Sequence, residues 1–303
     1  MRFSICTDML GSDSFEESLQ HAKALGFSSV DLRAKLDGYT LDNIPYEEAR
    51  VIKQKVDEAG LEVSCLSSWA VNSCSFSGPA KYDNYDENHH QAMEKVLDRL
   101  FDLADIFDTP YVRVYSLHRK EGFEDLSEAD KDAEYRHNAS ILARHAEHAR
   151  KRNKTILVEN EPPTLSRDAR ELGLLARYAD HPNLKINWDI INGWRAGEFP
   201  TLEAYEHVKG YVWQTHLKGA NRAYNTIDEQ HPHGLFGNFS IAGRDDFAHG
   251  PLMQAIAKHD PQATMTIDTH YPSFYQQDQI GEVEVVRLTK LHLEALVNGG
   301  DKV

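Results

Sequence analysis

Four side chains able to ligate a metal close four consecutive strand-like runs. Glu159 ends the run in TILVENEP, Asp189 ends that in NLKINWDIING, His216 stands in YVWQTHLKGANR and Asp268 in TMTIDTHY. One acidic residue at a strand end is commonly a helix N-cap or a solvated charge, but four in succession read as a shared centre. Three carboxylates with one imidazole make a mostly oxygen-donor set. Such a set suits one divalent ion, Mn²⁺ or Mg²⁺ first, with Co²⁺, Fe²⁺ or Zn²⁺ as further candidates. Like charges gathered in one polar cup also repel one another unless a cation lies among them, a second reason to expect a metal.

Other polar groups lie within a few residues of these ligands and are candidates to bind substrate: Glu161, Lys218, Arg222 and His270, with Arg113 ending a neighbouring strand on the same parity. For each, an ion pair that orients a ligand is the competing structural reading. His118 in SLHRK is a weaker candidate, and His231 and His233 sit in a long connection of the kind that covers sites. Trp69 and Trp194 follow strand ends, where they could pack on a sugar face or simply fill a loop.

The elements that must position these groups are eight short apolar runs: Phe3–Thr7, Ser29–Arg33, Glu62–Ser67, Tyr111–Tyr115, Thr155–Glu159, Leu184–Asp189, Val212–Lys218 and Thr264–Asp268. Helical spacing separates them, as in Phe15, Leu19 and Ala22, in Ile52, Val56 and Ala59, and in Met93, Val96, Leu97, Leu100, Phe101 and Ala104. Ser14 with Glu17 fits a capping box, and Gly26 and Gly60 fit the residue that ends a helix. Strand parity then selects an architecture. Leu184, Ile186 and Trp188 oppose Lys185, Asn187 and Asp189; Val112 and Val114 oppose Tyr111, Arg113 and Tyr115; Met265 and Ile267 oppose Thr264, Thr266 and Asp268. An open parallel sheet covered on both faces would be apolar on both. One apolar and one polar face instead predict a closed (β/α)₈ barrel, a single domain over residues 1–303, with its site at the C-terminal ends of the strands.

Composition sets outer bounds. A formal charge of -15 and the lack of a Lys/Arg-rich stripe exclude nucleic acid as a partner. No run is long enough to span a bilayer, and the first residues lack the pattern of a signal peptide, so we expect a cytoplasmic protein without a membrane partner. Cys6, Cys65 and Cys74 show no CxxC spacing; we read them as reduced, with Cys6 and Cys65 as small core residues. Of the sixteen histidines, His137, His145 and His148 are expected on a solvated helix face.

Several segments in order carry a family resemblance: GFSSVDLRA in the second unit, EAGLEVSCLSS in the third, LVENEP in the fifth, HLKG in the seventh and AGRDDF before the last helix. Over nearly its whole length the chain resembles the xylose isomerase-like barrels, the sugar isomerase and epimerase group. The ketose 3-epimerases of that group imply metal ligands at Glu159, Asp189, His216 and Asp268, with Glu159 and Asp268 also moving the proton. They imply substrate contact at Arg222. The chain departs at Asp268, where Glu is usual, which puts its reach to a substrate carbon in doubt. The DNA-repair branch of the group uses extra histidines for a three-zinc cluster, one of them at the place of Asn192, and the third strand here ends in SerSerTrp, so an endonuclease-like nuclease is disfavoured.

The expectation is a metal-dependent isomerase or epimerase acting on a small carbohydrate or keto sugar through an enediolate. A lyase, dehydratase or decarboxylase using the same site is the alternative, and a non-catalytic sugar-binding barrel is a third reading. A homo-oligomer is possible.

Overall fold

The computed structural model describes residues 1–71, 87–220, 239–270 and 280–297. Cys74, Arg222, His231 and His233 therefore lie outside the described residues. Eight parallel strands close a barrel: β1 (Arg2–Cys6), β2 (Ser29–Leu32), β3 (Glu62–Ser67), β4 (Tyr111–Tyr115), β5 (Thr155–Glu159), β6 (Leu184–Asp189), β7 (Val212–Leu217) and, after two short strands β8 (Gly219–Ala220) and β9 (Phe239–Ser240), β10 (Thr264–Ile267). Their cyclic order follows the chain, with β10 pairing both β7 and β1. The expected strands and the observed ones agree except at the start of β1, which begins one residue earlier at Arg2, and at four C-terminal ends. Thr7, Arg33, Lys218 and Asp268 fall one residue past the ladder, and the last three meet one another in ion pairs there.

Parity works as anticipated. Val112, Val114, Ile156, Val158, Leu184, Ile186, Trp188, Met265 and Ile267 are buried in one continuous apolar core. The opposite faces carry Asp31, Arg113, Asn187, Gln214 and His216, all buried and polar. Gln214 on β7 reaches Asp31 on β2, two strands that are not neighbours, so these side chains meet across the barrel interior.

The helices supply the outer layer. Phe15, Leu19 and Ala22 of α1 (Phe15–Ala24), Ala49, Ile52 and Val56 of α2 (Tyr46–Glu58), and Met93, Leu97, Leu100, Phe101 and Ala104 of α3 (Glu87–Ile106) are buried at the spacing read from the sequence. Each large aliphatic or aromatic side chain so placed contributes about 1.5–3 kcal/mol. Leu25 caps α1 and Ala59 caps α2, and each is followed by a glycine in the left-handed region, Gly26 at φ +76° and Gly60 at φ +70°. The capping box forms only in part. The Glu17 N–H donates to Ser14 Oγ, but the Glu17 carboxylate accepts from Ser12 Oγ, because Ser12 also takes the Ser14 N–H.

One helix departs from expectation. In α4 (Glu128–Lys151), His137 is exposed, but His148 is half-buried beside Asp98 Oδ1 at 2.9 Å, and His145 is wholly buried, stacked on His90 of α3 with ring centroids 4.5 Å apart. The solvated face predicted for His145 is instead an interhelical contact. Cys6 and Cys65 are buried free thiols, as read.

Beyond β7 the chain makes the antiparallel ribbon β8–β9, Gly219 opposite Ser240 and Ala220 opposite Phe239. A Cβ on Gly219 would stand 2.7 Å from the Ser240 carbonyl oxygen and the Ile241 carbonyl carbon, so only glycine permits this approach. The AGRDDF segment continues from β9. Asp245 there accepts from the Ala220 and Gly243 N–H groups and pairs with His249, anchoring the ribbon to the start of α8 (His249–His259). Among the described residues no helix is long and apolar enough to cross a membrane.

Candidate active site and metal centre

Glu159 is the last residue of β5, Asp189 the last of β6 and His216 the fifth of β7; all three are buried. One donor atom from each falls within 4.8 Å of the others, which brings three of the four predicted ligands together. Asp189 has a second duty. Its Oδ1 accepts the N–H groups of Ile191 and Asn192, capping α6 (Ile190–Arg195), and this orients Oδ2 into the mouth. Glu159 Oε1 lies 3.2 Å from His216 Nδ1, while its Oε2 lies 3.0 Å from Arg113 Nη1 and accepts from Asn187 Nδ2 at 3.2 Å.

Asp268 stands apart. Its Oδ1 accepts from Arg33 Nη2 at 3.0 Å, and its Oδ2 lies 2.8 Å from His270 Nε2, 3.2 Å from Lys218 Nζ and 3.6 Å from His216 Nδ1. Arg33 also binds Asp8 Oδ2 at 3.0 Å. Lys218 is shared, since its Nζ lies 2.6 Å from Asp189 Oδ2.

The remaining predicted residues fall into place around these. Glu161 accepts from Asn192 Nδ2 at 2.8 Å and pairs with Arg195 at 3.3 Å. Arg113 is fully buried, with Tyr115 and Trp69 rings at 4.4 and 5.8 Å, so it holds Glu159 from behind rather than meeting a ligand in the mouth. Trp194 packs edge-on against Phe247, and His118 pairs its backbone with Thr164. Both serve the loops.

The electrostatics follow from these pairs. Burial pushes the Glu159 carboxyl up, but Arg113 and then His216 outweigh it and hold it at about 2. Burial opposes charge on His216, yet Glu159, then Asp31, and finally Asp268 carry it up to about 10. Asp268 is held well below the usual carboxylate range, against burial, by Arg33, His270 and Lys218. Glu161 moves the other way: burial raises it, Arg195 offsets part of that, and Glu159 and Asp189 add to the rise. His270 is lowered by burial, against the pull of Asp268.

The repulsion expected within the cup is therefore relieved by the chain itself, through Arg113, Arg33, Lys218 and Arg195. The case for a metal rests instead on convergence. Glu159, Asp189 and His216, all buried, present two oxygens and one nitrogen within 4.8 Å of one another, and Lys218 Nζ, 2.6 Å from Asp189 Oδ2, is the positive charge that now meets them there. That donor set fits a divalent cation.

Sequence reading missed Arg33, Asp31, Asn187 and Gln214. The signal was present. Ser29 and Asp31 alternate on β2 with Arg33 next at the same parity just past its end, and Asn187 and Gln214 stand two residues before Asp189 and His216. Parity applied to every polar residue of a strand, and not to its end alone, would have found them.

A family model described as the xylose isomerase-like TIM barrel matches residues 19–287. A 3-dehydroshikimate dehydratase of Bacillus anthracis is 24% identical over 309 residues, which cover 98% of this chain and 100% of that protein. The crystal structure of a probable 3-DHS dehydratase, AsbF, involved in petrobactin synthesis in Bacillus anthracis, has a TM-score of 0.71 at 19% identity, covering 98% of this chain and 99% of that one. An L-ribulose 3-epimerase structure has a TM-score of 0.67 at 12% identity, covering 98% and 95%. The similarity to a dehydratase along the whole chain favours the elimination alternative over the epimerase expected first. The matched model, the closed barrel and the strand-end donors agree: this chain belongs to the xylose isomerase-like TIM barrel family.

Proposed function

We propose that the protein is a divalent-metal-dependent dehydratase acting on a small ring ketone that bears hydroxyls and a carboxylate, of which 3-dehydroshikimate is the type. The observation that carries this reading is the unequal treatment of the carboxylates. Epimerisation needs a proton carrier on each face of one carbon, and Asp268 is poorly suited to that task. It is short, and both its oxygens are already engaged by Arg33, His270 and Lys218. Loss of water needs one base and one acid, which is what the mouth offers.

The residues divide the work as follows. Glu159, Asp189 and His216 hold the ion, which when bound supplies Lewis-acid polarisation of the ketone. Held at about 2, Glu159 is a weak base. Glu161, raised by burial and oriented by Asn192 and Arg195, is the better proton acceptor, and its side chain retains 16% exposure. It takes the proton from the carbon next to the ketone. The electron pair of that C–H bond forms the new C=C as the neighbouring C–O bond breaks. His270, once it has taken up a proton beside Asp268, passes that proton to the departing hydroxyl so that it leaves as water. The net change is loss of one H₂O, and a ring that already holds one C=C and one C=O then tautomerises to a dihydroxy aromatic acid.

An acidic chain must still attract an anionic substrate. Arg33, Lys218 and Arg195 line the mouth, each paired with a carboxylate that an anionic substrate would have to compete with, and Arg222, outside the described residues, is retained as a proposed anion contact. The test is incubation of the Mn²⁺- or Mg²⁺-loaded protein with 3-dehydroshikimate, following the aromatic absorbance of the product. Metal-dependent formation of a dihydroxybenzoate supports the proposal. Unchanged substrate, with deuterium entering ketoses from heavy water instead, would return the epimerase reading.

A further inference from the structure

The cations around the donor set are not equally placed. Arg113 meets Glu159 through Oε2, while Oε1 faces His216, and the guanidinium is fully buried against the Tyr115 ring. Arg33 is committed to Asp8 and Asp268, and Arg195 to Glu161. Lys218 differs from all of these. Its Nζ lies 2.6 Å from Asp189 Oδ2, and Asp189 has no second oxygen to offer an ion, because Oδ1 already accepts the Ile191 and Asn192 N–H groups.

An ammonium touching that oxygen and a divalent ion bound to it would be like charges in near contact inside a buried site, so each excludes the other. The ammonium has another place to stay. It donates to Asp268 Oδ2 at 3.2 Å and lies 5.1 Å from the centre of the Phe239 ring, and its four-carbon stem is flexible. Losing Asp189 leaves it in the mouth with one carboxylate partner in place of two.

We propose that Lys218 is an exchangeable internal cation: a metal binding to Asp189 expels it, and the released ammonium becomes the contact for the substrate carboxylate. The inference rests on the metal site and the anionic substrate of the preceding proposal. It orders the two events, metal first and substrate second. Loading the site thus frees a cation from one of the carboxylates that an anionic substrate would have to compete with.

Mn²⁺ titration calorimetry on wild type and K218M, amine labelling with formaldehyde and a borane reductant, and benzoate binding test it, with thermal melting as the check on folding. K218M, which lacks the competitor, should bind Mn²⁺ at least about 5-fold more tightly than wild type. In wild type, mass spectrometry should find Lys218 methylated when Mn²⁺ is bound and protected after chelator treatment, since its paired side chain is 1% exposed. Benzoate should bind wild type at least about 5-fold more tightly with Mn²⁺ than without, and K218M should lose that gain. Mn²⁺ bound by wild type with Lys218 still protected, or bound no more tightly by K218M, would overturn the exchange and leave the metal site standing. A benzoate gain that survives in K218M would overturn the anion contact. A wild-type protein that takes up no Mn²⁺ would remove the inference and the metal site together. Should K218M fail to fold, the labelling of wild type decides the question alone.

Discussion

The two walls of the barrel mouth neutralise their carboxylates in different ways. On the β5–β7 wall, Glu159, Asp189 and His216 converge within 4.8 Å. Most of their partners approach from behind or from the side: Arg113 on Glu159, the α6 N–H groups on Asp189 Oδ1, Asn187 and Gln214 on His216. Lys218, shared with Asp268, meets Asp189 Oδ2 at 2.6 Å, so a cation bound at their common point would replace one ammonium. On the opposite wall Asp268 meets Arg33, which is tied in turn to Asp8, together with His270. Its charge is spent inside the protein. Four strand ends that look equivalent in the sequence thus divide into three that can hold a metal and one that braces a histidine.

The largest expected effects break this division directly. H216A or E159Q should weaken Mn²⁺ binding by more than about 100-fold, since outer partners alone are worth about 10–100-fold; D268N should stay below that range. Equal losses in all three, read by calorimetry, would make the walls equivalent after all. Next, E161Q should lower kcat by about 10²–10⁴-fold with Mn²⁺ affinity unchanged. An E161Q protein turning over at the wild-type rate would leave the proton transfer to another group.

Stability gives smaller but cleaner readings. Arg33→Met leaves Asp8 and Asp268 in a nearly dry site with one cation fewer, and should cost about 3–5 kcal/mol in urea unfolding, partly restored by Mn²⁺. A cost under about 1 kcal/mol would place the pair among weak surface bridges. At neutral pH the smallest effects are those that appear only as the pH is changed. Burial, with His90 and His148 nearby, pulls His145 down to about 3 from an ordinary 6.5. The unfolded chain therefore takes up that proton first, and stability present at neutral pH is lost as pH falls below 6.5. His145→Leu should flatten this acid-side decline; an unaltered slope would mean that His145 is not the group responsible. Glu198 acts with the opposite sign. Burial raises it to about 7 from 4.5, so its contribution is lost as pH rises through that window, and Glu198→Gln should remove the decline.

Much of this architecture is legible in the sequence because strand parity and helix spacing are local. Leu184 to Asp189 announces both its faces within six residues, and Gly26 and Gly60 mark helix ends by their conformational freedom alone. The pairings inside the cup are not local. Arg33 and Asp268 are 235 residues apart, and only barrel closure brings β2 and β10 to either side of β1. His145 fails for a related reason: helical periodicity assigns a face, but α3 covers that face with His90. The departure of Asp268 from the usual Glu was visible in the sequence, but its consequence needed the position of Arg33.

Anomalous diffraction at the manganese edge, from crystals grown with Mn²⁺, tests the division of the mouth most directly. We predict one manganese peak bonded to Glu159, Asp189 and His216, with Asp268 still paired to Arg33. A peak ligated by Asp268 with Arg33 displaced, or no manganese at these residues, would contradict the account.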